Sequence, residues 1–228
     1  MALEHASKNA SLITSLPLSF FCGDEAMRAA IDSRNLGAIS LAVVLLLELP
    51  FSLAPPLHQL VHYAMGQKNT ETTRIVCVLL TVPAIAASAC NADKDGFTAL
   101  MLASTNGHAE TVTALLACPT VAQSSGAADI TGTTALMLAS KNGHTETIVG
   151  LLACPPVVQS ACAVNIDGFT ALMLAAKFGQ SEAVTALLAC PTVVQSAGAV
   201  NKKGDTALGI AQRRKQDAII ALLSSFKR

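Results

Sequence analysis

Residues 96–103, which read GFTALMLA, recur at a fixed spacing along this 228-residue chain. The glycines that open each copy stand 36 residues apart, and each is followed after one variable residue by Thr-Ala-Leu: Gly96, Gly132, Gly168 and Gly204. In the first three copies the run continues as Met-Leu-Ala, then a second glycine, a glutamate three residues later, and Leu-Leu-Ala-Cys-Pro. A period of this length is typical of proteins built from stacked structural repeats.

The first half of each unit predicts a short helix. Thr98 is a suitable N-cap, because its hydroxyl can accept hydrogen bonds from the unpaired amides of the first helical turn. Leu100, Leu102 and Ala103 would form the buried face. Gly107 can adopt the left-handed conformation that ends a helix, so we expect the helix to stop there.

The second half of the unit predicts a second helix that starts near His108. Glu110 would lie in its first turn, where the helix dipole favours an acidic side chain. Its buried stripe would consist of Val112, Leu115 and Leu116. We expect Pro119 to stop this helix, and a polar stretch to lead to a turn residue before the next glycine. The turn residues share one repeat position: Asp93, Asp129, Asn165 and Asn201.

The combined pattern, G-x-T-A-L-M-L-A followed by G-H-x-E, V and L-L, closely resembles the ankyrin repeat. Ala replaces the usual Pro, Met replaces the usual His, and the period is 36 residues instead of about 33. The resemblance implies an all-α ankyrin-repeat solenoid of stacked antiparallel helix pairs with hairpin-like fingers. The extra residues fall between the Leu-Leu pair and the next glycine, so we expect them in the finger.

Leucine pairs extend the pattern to about six units. They begin at residues 46, 79, 115, 151, 187 and 222. We therefore expect an N-terminal extension over 1–23 and an ankyrin-repeat domain over 24–228. Its parts would be degenerate repeats at 24–56 and 57–92, clear repeats at 93–128, 129–164 and 165–200, and a capping repeat at 201–228. Degenerate ends are expected because a terminal unit faces water on one side.

The composition indicates a folded and electrically neutral chain. Apolar residues make up 52%, charged residues 13% and aromatic residues 4%, and 15 basic side chains balance 15 acidic ones. Net charge therefore gives no reason to expect nucleic-acid binding. The seven cysteines contain no C-x-x-C pair, so we expect reduced thiols and a cytoplasmic location. The basic runs at 202–203 and 213–215 resemble a bipartite nuclear signal, which adds the nucleus as a second location.

Several apolar segments raise the question of membrane contact. Residues 75–92 and 147–166 each reach the length of a membrane span without a strong charge interruption. The second of these contains Pro155 and Pro156 inside a clear repeat, so length alone is misleading in this chain. The run from Ser11 to Cys22 resembles a signal sequence only loosely, because Glu4 and Pro17 interrupt its pattern. One alternative remains a membrane-associated ankyrin protein whose apolar N-terminal third contacts the membrane.

Cofactor, metal and catalytic motifs are not expected. Three cysteines share one repeat position, which we place at the end of the second helix as small apolar residues: Cys118, Cys154 and Cys190. His58 and His62 lack the glutamate of the zinc-protease motif, and His108 and His144 occupy the turn position of the repeat. A thiol enzyme using Cys22 or Cys77 remains the enzymatic alternative.

The resemblance implies that a partner protein binds to the concave face formed by the finger tips and the first helices. Twenty positions on that face differ between otherwise similar repeats: Lys94, Asp95, Phe97, Thr105, Asn106, Ile130, Thr131, Thr133, Lys141, Asn142, Ile166, Asp167, Phe169, Lys177, Phe178, Lys202, Lys203, Asp205, Arg213 and Arg214. Seven are basic and three are acidic.

Two interpretations of these positions stay open. Under the first, they are ordinary solvated positions. Under the second, the C-terminal half of the face binds an acidic segment of a protein partner, with Phe169 and Phe178 as anchors and the basic residues steering its approach. We expect a monomeric, non-enzymatic scaffold, adaptor or inhibitor that has no cofactor and binds no nucleic acid.

Overall fold

The computed structural model describes residues 73, 76–77, 80, 86 and 89–225. The chain divides into two units, Met1–Ala89 and Cys90–Arg228, and the helices described below belong to the second. The expected extension 1–23, the degenerate repeat 24–56 and most of 57–92 lie outside the described residues. Cys22, His58, His62 and the apolar N-terminal third, with the membrane alternative that depends on it, also lie outside them.

A pattern of three helices repeats through the second unit, followed by a final pair. The helices are α1 Ala99–Asn106, α2 Ala109–Leu116, α3 Pro119–Ser124, α4 Ala135–Asn142, α5 Thr145–Leu152, α6 Pro155–Gln159, α7 Ala171–Phe178, α8 Ser181–Leu188, α9 Pro191–Gln195, α10 Ala207–Arg213 and α11 Asp217–Ser225. Within residues 89–225, β-type pairing is limited to an isolated bridge between Ala128 and Thr134.

Equivalent helices of successive repeats pack against one another. The first helices form the series α1, α4, α7 and α10, and the second helices form the series α2, α5, α8 and α11. Each repeat therefore contributes one layer to two continuous rows of helices. The prediction of an all-α ankyrin solenoid is confirmed.

The ends of the first helices follow the sequence prediction. Thr98 Oγ1 accepts a hydrogen bond from the Met101 amide at 3.3 Å, and the equivalent threonines of the later repeats cap their helices in the same way. Gly107 ends α1 in the left-handed conformation, with φ of 75°. His108 occupies the N-cap position of α2 without a capping hydrogen bond from its side chain, and Glu110 lies in the first turn of that helix. These contacts fix where each helix begins and ends.

The extra residues of the 36-residue period form a third helix, so their predicted place in the finger is wrong. The second helix ends at Leu116, before Pro119, and Pro119 is the first residue of α3. Proline suits this first position because it has no amide hydrogen to lose and its φ is already helical. The same arrangement opens α6 at Pro155 and α9 at Pro191.

The shared cysteine position also differs from its prediction. Cys118, Cys154 and Cys190 do not end the second helix but precede the proline as extended N-cap residues of the third helix. An extended conformation is required there because the residue before a proline is disfavoured in the helical region. Cys154 and Cys190 are buried, which agrees with their expected role as small apolar residues.

The interior is built from a few residue types repeated in register. Met101, Met137 and Met173, at the position where the ankyrin pattern has His, are fully buried. Val112 and Leu115 are buried as predicted, whereas Leu102 and Leu116 are only half-buried. Adjacent helical positions differ by about 100° around the axis, so these two leucines lie at the edges of their apolar stripes.

No helix in the described part of the chain is both long enough and apolar enough to cross a membrane. The apolar stretch 147–166 is divided between α5, α6 and the finger that follows. The prediction that length alone would mislead there is confirmed, because two helix ends interrupt the segment.

Candidate functional site

The fingers, which are the loops that lead into each first helix, are organised by one acidic or amide side chain. Asp129 Oδ1 accepts hydrogen bonds from the amides of Thr131 and Thr133, both at 2.8 Å. The equivalent side chains of the other fingers accept the same pair of amides: Asp93, Asn165 and Asn201. The predicted turn role of these residues is confirmed. Each finger tip is therefore held in one conformation before any ligand binds.

Adjacent fingers are joined by backbone hydrogen bonds. The Ile130 amide donates to the Asp95 carbonyl at 3.2 Å, and the Lys202 amide donates to the Asp167 carbonyl at 3.1 Å. The central pair of fingers is joined in the same way, through Ile166 and Thr131 at 2.8 Å. The variable tip residues are thus presented at a regular spacing.

The turns after the first helices are joined by side chains from the next repeat. His144 Nε2 donates to the Thr105 carbonyl at 3.0 Å, and Asn142 Nδ2 donates to the same oxygen at 2.9 Å. In the next repeat, Gln180 Nε2 donates to the Lys141 carbonyl at 3.4 Å. The prediction that His144 has a structural turn role is confirmed. These bonds fix the helix ends that carry the other predicted site residues.

We call the twenty predicted partner-binding positions the finger face. Twelve of them lie in the four fingers, and eight lie at the C-terminal ends of α1, α4, α7 and α10. In the last two repeats a finger residue contacts a helix residue at equivalent positions. Lys177 Nζ lies 4.4 Å from the centroid of the Phe169 ring, and Arg213 forms an ion pair with Asp205.

A second contact on the finger face joins two repeats. The Phe178 ring, 46% exposed, lies 5.5 Å from Lys141 Nζ and 5.8 Å from Lys177 Nζ, measured to the ring centroid. Phe178, one of the two predicted aromatic anchors, is therefore in direct cation–π contact with two of the predicted basic residues. Five other predicted residues are exposed on fingers or at a helix end: Lys94, Asp95, Lys202, Lys203 and Arg214.

The ion pair in the fourth repeat alters the electrostatics of the finger face. The hydrogen bond from Arg213, aided by its charge, lowers the pKa of Asp205, and Asp205 correspondingly raises the pKa of Arg213. Arg213 is therefore partly neutralised within the chain. Lys141 and Lys177 contact aromatic rings instead, so their charges remain available to a ligand.

The sequence prediction missed part of the exposed apolar surface. Ile130 and Ile166 were included and are exposed finger-tip residues, but Val164 and Val200 were not included and are also exposed. Both valines immediately precede a turn asparagine and stand one period apart, which is the signal that could have identified them.

Metal ligands and reactive thiols do not form a cluster in the described part of the chain. No group of three histidine, cysteine or acidic side chains there could hold a metal ion. Cys77 carries an exposed thiol, and Cys154 lies beside the Ser125 hydroxyl, 3.5 Å from Sγ to Oγ.

Comparison with known proteins agrees with this architecture. A family model described as ankyrin repeats in three copies matches residues 61–159, 121–196 and 158–227. No curated protein matches the chain. Ankyrin repeats generally mediate protein–protein interaction and are typically not enzymes. Because the matches span well over half of its length, the chain belongs to the ankyrin-repeat family.

Proposed function

We propose that this chain is a non-enzymatic protein-binding module that holds a partner on its finger face. The observation that carries the proposal is where the repeats differ. The buried positions repeat almost unchanged, as in Met101, Met137 and Met173, whereas the exposed finger and helix-end positions vary in charge and size. Variation in charge and size on a preorganised surface is what a recognition surface needs, because the interior can stay constant while the contacts change.

The chemistry of the finger face favours an acidic segment of the partner. Seven of its twenty residues are basic and three are acidic, in a chain whose net charge is zero. Arg213 is paired with Asp205, while Lys141 and Lys177 lie over aromatic rings. Positive charge beside an exposed aromatic ring steers an acidic chain and then provides apolar contact area.

The proposed role is that of a scaffold, adaptor or inhibitor acting as a monomer. Its expected location is the cytoplasm, with the nucleus as a second location through the basic runs at 202–203 and 213–215. All three roles need at least one binding surface and a rigid stack that holds it. The stacked fingers and joined helix ends support that requirement.

A selection experiment tests the proposal. The intact chain is used to select binders from a random peptide library, and affinities are measured for the selected peptides. Neutralising three finger-face bases, in the variant Lys177→Gln/Lys203→Gln/Arg214→Gln, should weaken binding about tenfold or more at low salt.

A control of equal charge change separates the surface from net charge. Thr113, Val149 and Thr185 occupy one exposed position on the second helices, so changing all three to Glu also lowers the net charge by three. This variant should bind normally. Equal losses in both variants, with both folded, would show that the finger face is not the binding surface.

A further inference from the structure

Two ammonium groups converge on one exposed aromatic ring where the second and third clear repeats meet. Lys141 Nζ and Lys177 Nζ lie 5.5 and 5.8 Å from the Phe178 centroid, so they are at most about 11 Å apart, a distance comparable to one Debye length (~10 Å). Within residues 89–225, the structure shows no carboxylate paired with either lysine. We call Lys141, Phe169, Lys177 and Phe178 the two-lysine cluster. Its like charges repel, and an anion bound close to both would offset that repulsion.

The fourth repeat indicates that a carboxylate is the anion that fits the two-lysine cluster. One period after Phe169 and Lys177, the chain has Asp205 and Arg213, and these two form an ion pair. In the fourth repeat, the base at the end of the first helix is therefore paired with a carboxylate from the finger of the same repeat. At the same finger position the second and third clear repeats have Thr133 and Phe169, which carry no charge. The bases that follow, Lys141 and Lys177, have no internal acid at that position.

The rings hold the lysines in place without neutralising them. A cation–π contact fixes an ammonium against a ring face and contributes about 0.5–1 kcal/mol at an exposed site, but it leaves the positive charge unpaired. Lys177 is held in this way between Phe169 and Phe178. The lysine side chains are therefore partly restrained in advance, which lowers the entropy cost of binding.

We propose that the two-lysine cluster binds a carboxylate of the partner protein, while an apolar side chain next to that carboxylate packs on Phe178. In the fourth repeat, Asp205 takes the place of the partner's carboxylate. It pairs with Arg213 and makes that arginine unavailable to ligands, so the recognition of acidic residues is centred on the second and third clear repeats. This inference rests on the proposed function and adds the chemical motif of the partner that the cluster recognises. The motif is an acidic residue beside a large apolar one.

The inference is tested with a defined peptide probe. A fluorescein-labelled peptide with a central Glu-Leu-Glu segment, flanked by glycine and serine, is titrated with the intact chain at low salt, and anisotropy gives its dissociation constant. Lys141→Gln and Lys177→Gln should each weaken binding about threefold to fivefold, the range of exposed ion pairs. Asp205→Asn, which releases Arg213, should strengthen binding by a similar factor.

Matched controls separate the cluster from general attraction. Lys215→Gln makes the same charge change at an exposed turn residue outside the finger face, and it should leave the dissociation constant unchanged. A peptide with Gln in place of both Glu residues should bind more weakly. Circular dichroism and thermal melting confirm that each variant is folded.

The outcomes either support the inference or overturn it. Equal effects of Lys215→Gln and Lys177→Gln would overturn a carboxylate site at the cluster. The intact chain could fail to bind the acidic peptide and still bind library peptides without acidic residues through the finger face. In that case the inference would fail and the proposed function would stand. If neither kind of peptide bound there, both would fail.

Discussion

The His144 side chain occupies the space where a β-carbon on Gly107 would lie. A β-carbon built at Gly107 would come within 2.5 Å of His144 Nδ1, and the same histidine donates from Nε2 to the Thr105 carbonyl. The glycine that ends α1 thus also leaves space for the His144 side chain of the next repeat. Stacking of repeats and helix termination depend on the same residue.

Replacing Gly107 with alanine should be strongly destabilising for two reasons. The left-handed φ of 75° costs an alanine about 1 kcal/mol, and the rigid imidazole must be displaced, at a cost of about 1–3 kcal/mol more. Gly179→Ala has nearly the same φ, but its new β-carbon meets only the flexible amide end of Gln216 at 3.1 Å. Urea unfolding should therefore show a clearly larger loss for Gly107→Ala. Equal losses would mean that the contact with His144 contributes nothing.

The stacking of fingers can be measured with a second pair of glycines. Gly168 and Gly204 have φ of 79° and 78°, but a β-carbon at Gly168 would lie 2.9 Å from the Lys202 amide nitrogen, whereas Gly204 has no neighbour within 4 Å. Gly204→Ala should cost about 1 kcal/mol through φ alone. Gly168→Ala should cost about 1–3 kcal/mol more, because backbone cannot move aside as a side chain can. The difference between the two free energies of unfolding isolates the contact between fingers.

The fourth repeat lacks the glycine that ends the first helix in the other three. Lys215 stands one period after Gly179 and adopts a positive φ of 56°. Lys215→Gly should therefore raise the free energy of unfolding by about 1 kcal/mol, since glycine takes this conformation without steric cost. Lys215→Ala is the control, because it removes the same charge but keeps the β-carbon. A gain of equal size in both variants would assign the effect to charge.

One buried hydroxyl should be dispensable. Thr147 is buried on α5, and its Oγ1 has no hydrogen-bond partner within the described residues. Thr147→Val keeps the shape and removes the unsatisfied polar atom, so it should stabilise the protein by about 1 kcal/mol. Thr134→Val makes the same change at an N-cap whose hydroxyl accepts from the Met137 amide, and it should destabilise by about 1 kcal/mol. Thermal melting of both variants should show shifts of opposite sign.

The sequence predicted those features that depend on local chemistry. The threonine caps, the helix-ending Gly107 and the turn role of Asp129 follow from single residues and their neighbours, and the structure confirms each. The third helix was missed because Pro119 was taken only as a terminator, although a proline can equally open a helix. The contacts between repeats could not be predicted from one unit: Phe178 with Lys141, and His144 with Gly107, join residues 37 positions apart.

Stability should depend on pH through His108. Burial, aided by the nearby charge of His144, lowers the pKa of His108 below its usual value near 6.5, and its Nε2 has no hydrogen-bond partner within the described residues. The unfolded chain therefore binds a proton at this site more readily than the folded one. The contribution of neutral His108 is complete above the unfolded pKa and is lost as pH falls below it.

The chain offers its own control for this pH dependence. Gln180 and Gln216 occupy the position of His108 in later repeats, so His108→Gln should be tolerated. The melting temperature of the wild type should fall more between pH 7 and about pH 5 than that of His108→Gln. His144→Gln should keep most of the wild-type slope, because burial is the larger cause of the lowered pKa. An unchanged slope in His108→Gln would place the titrating group elsewhere in the chain.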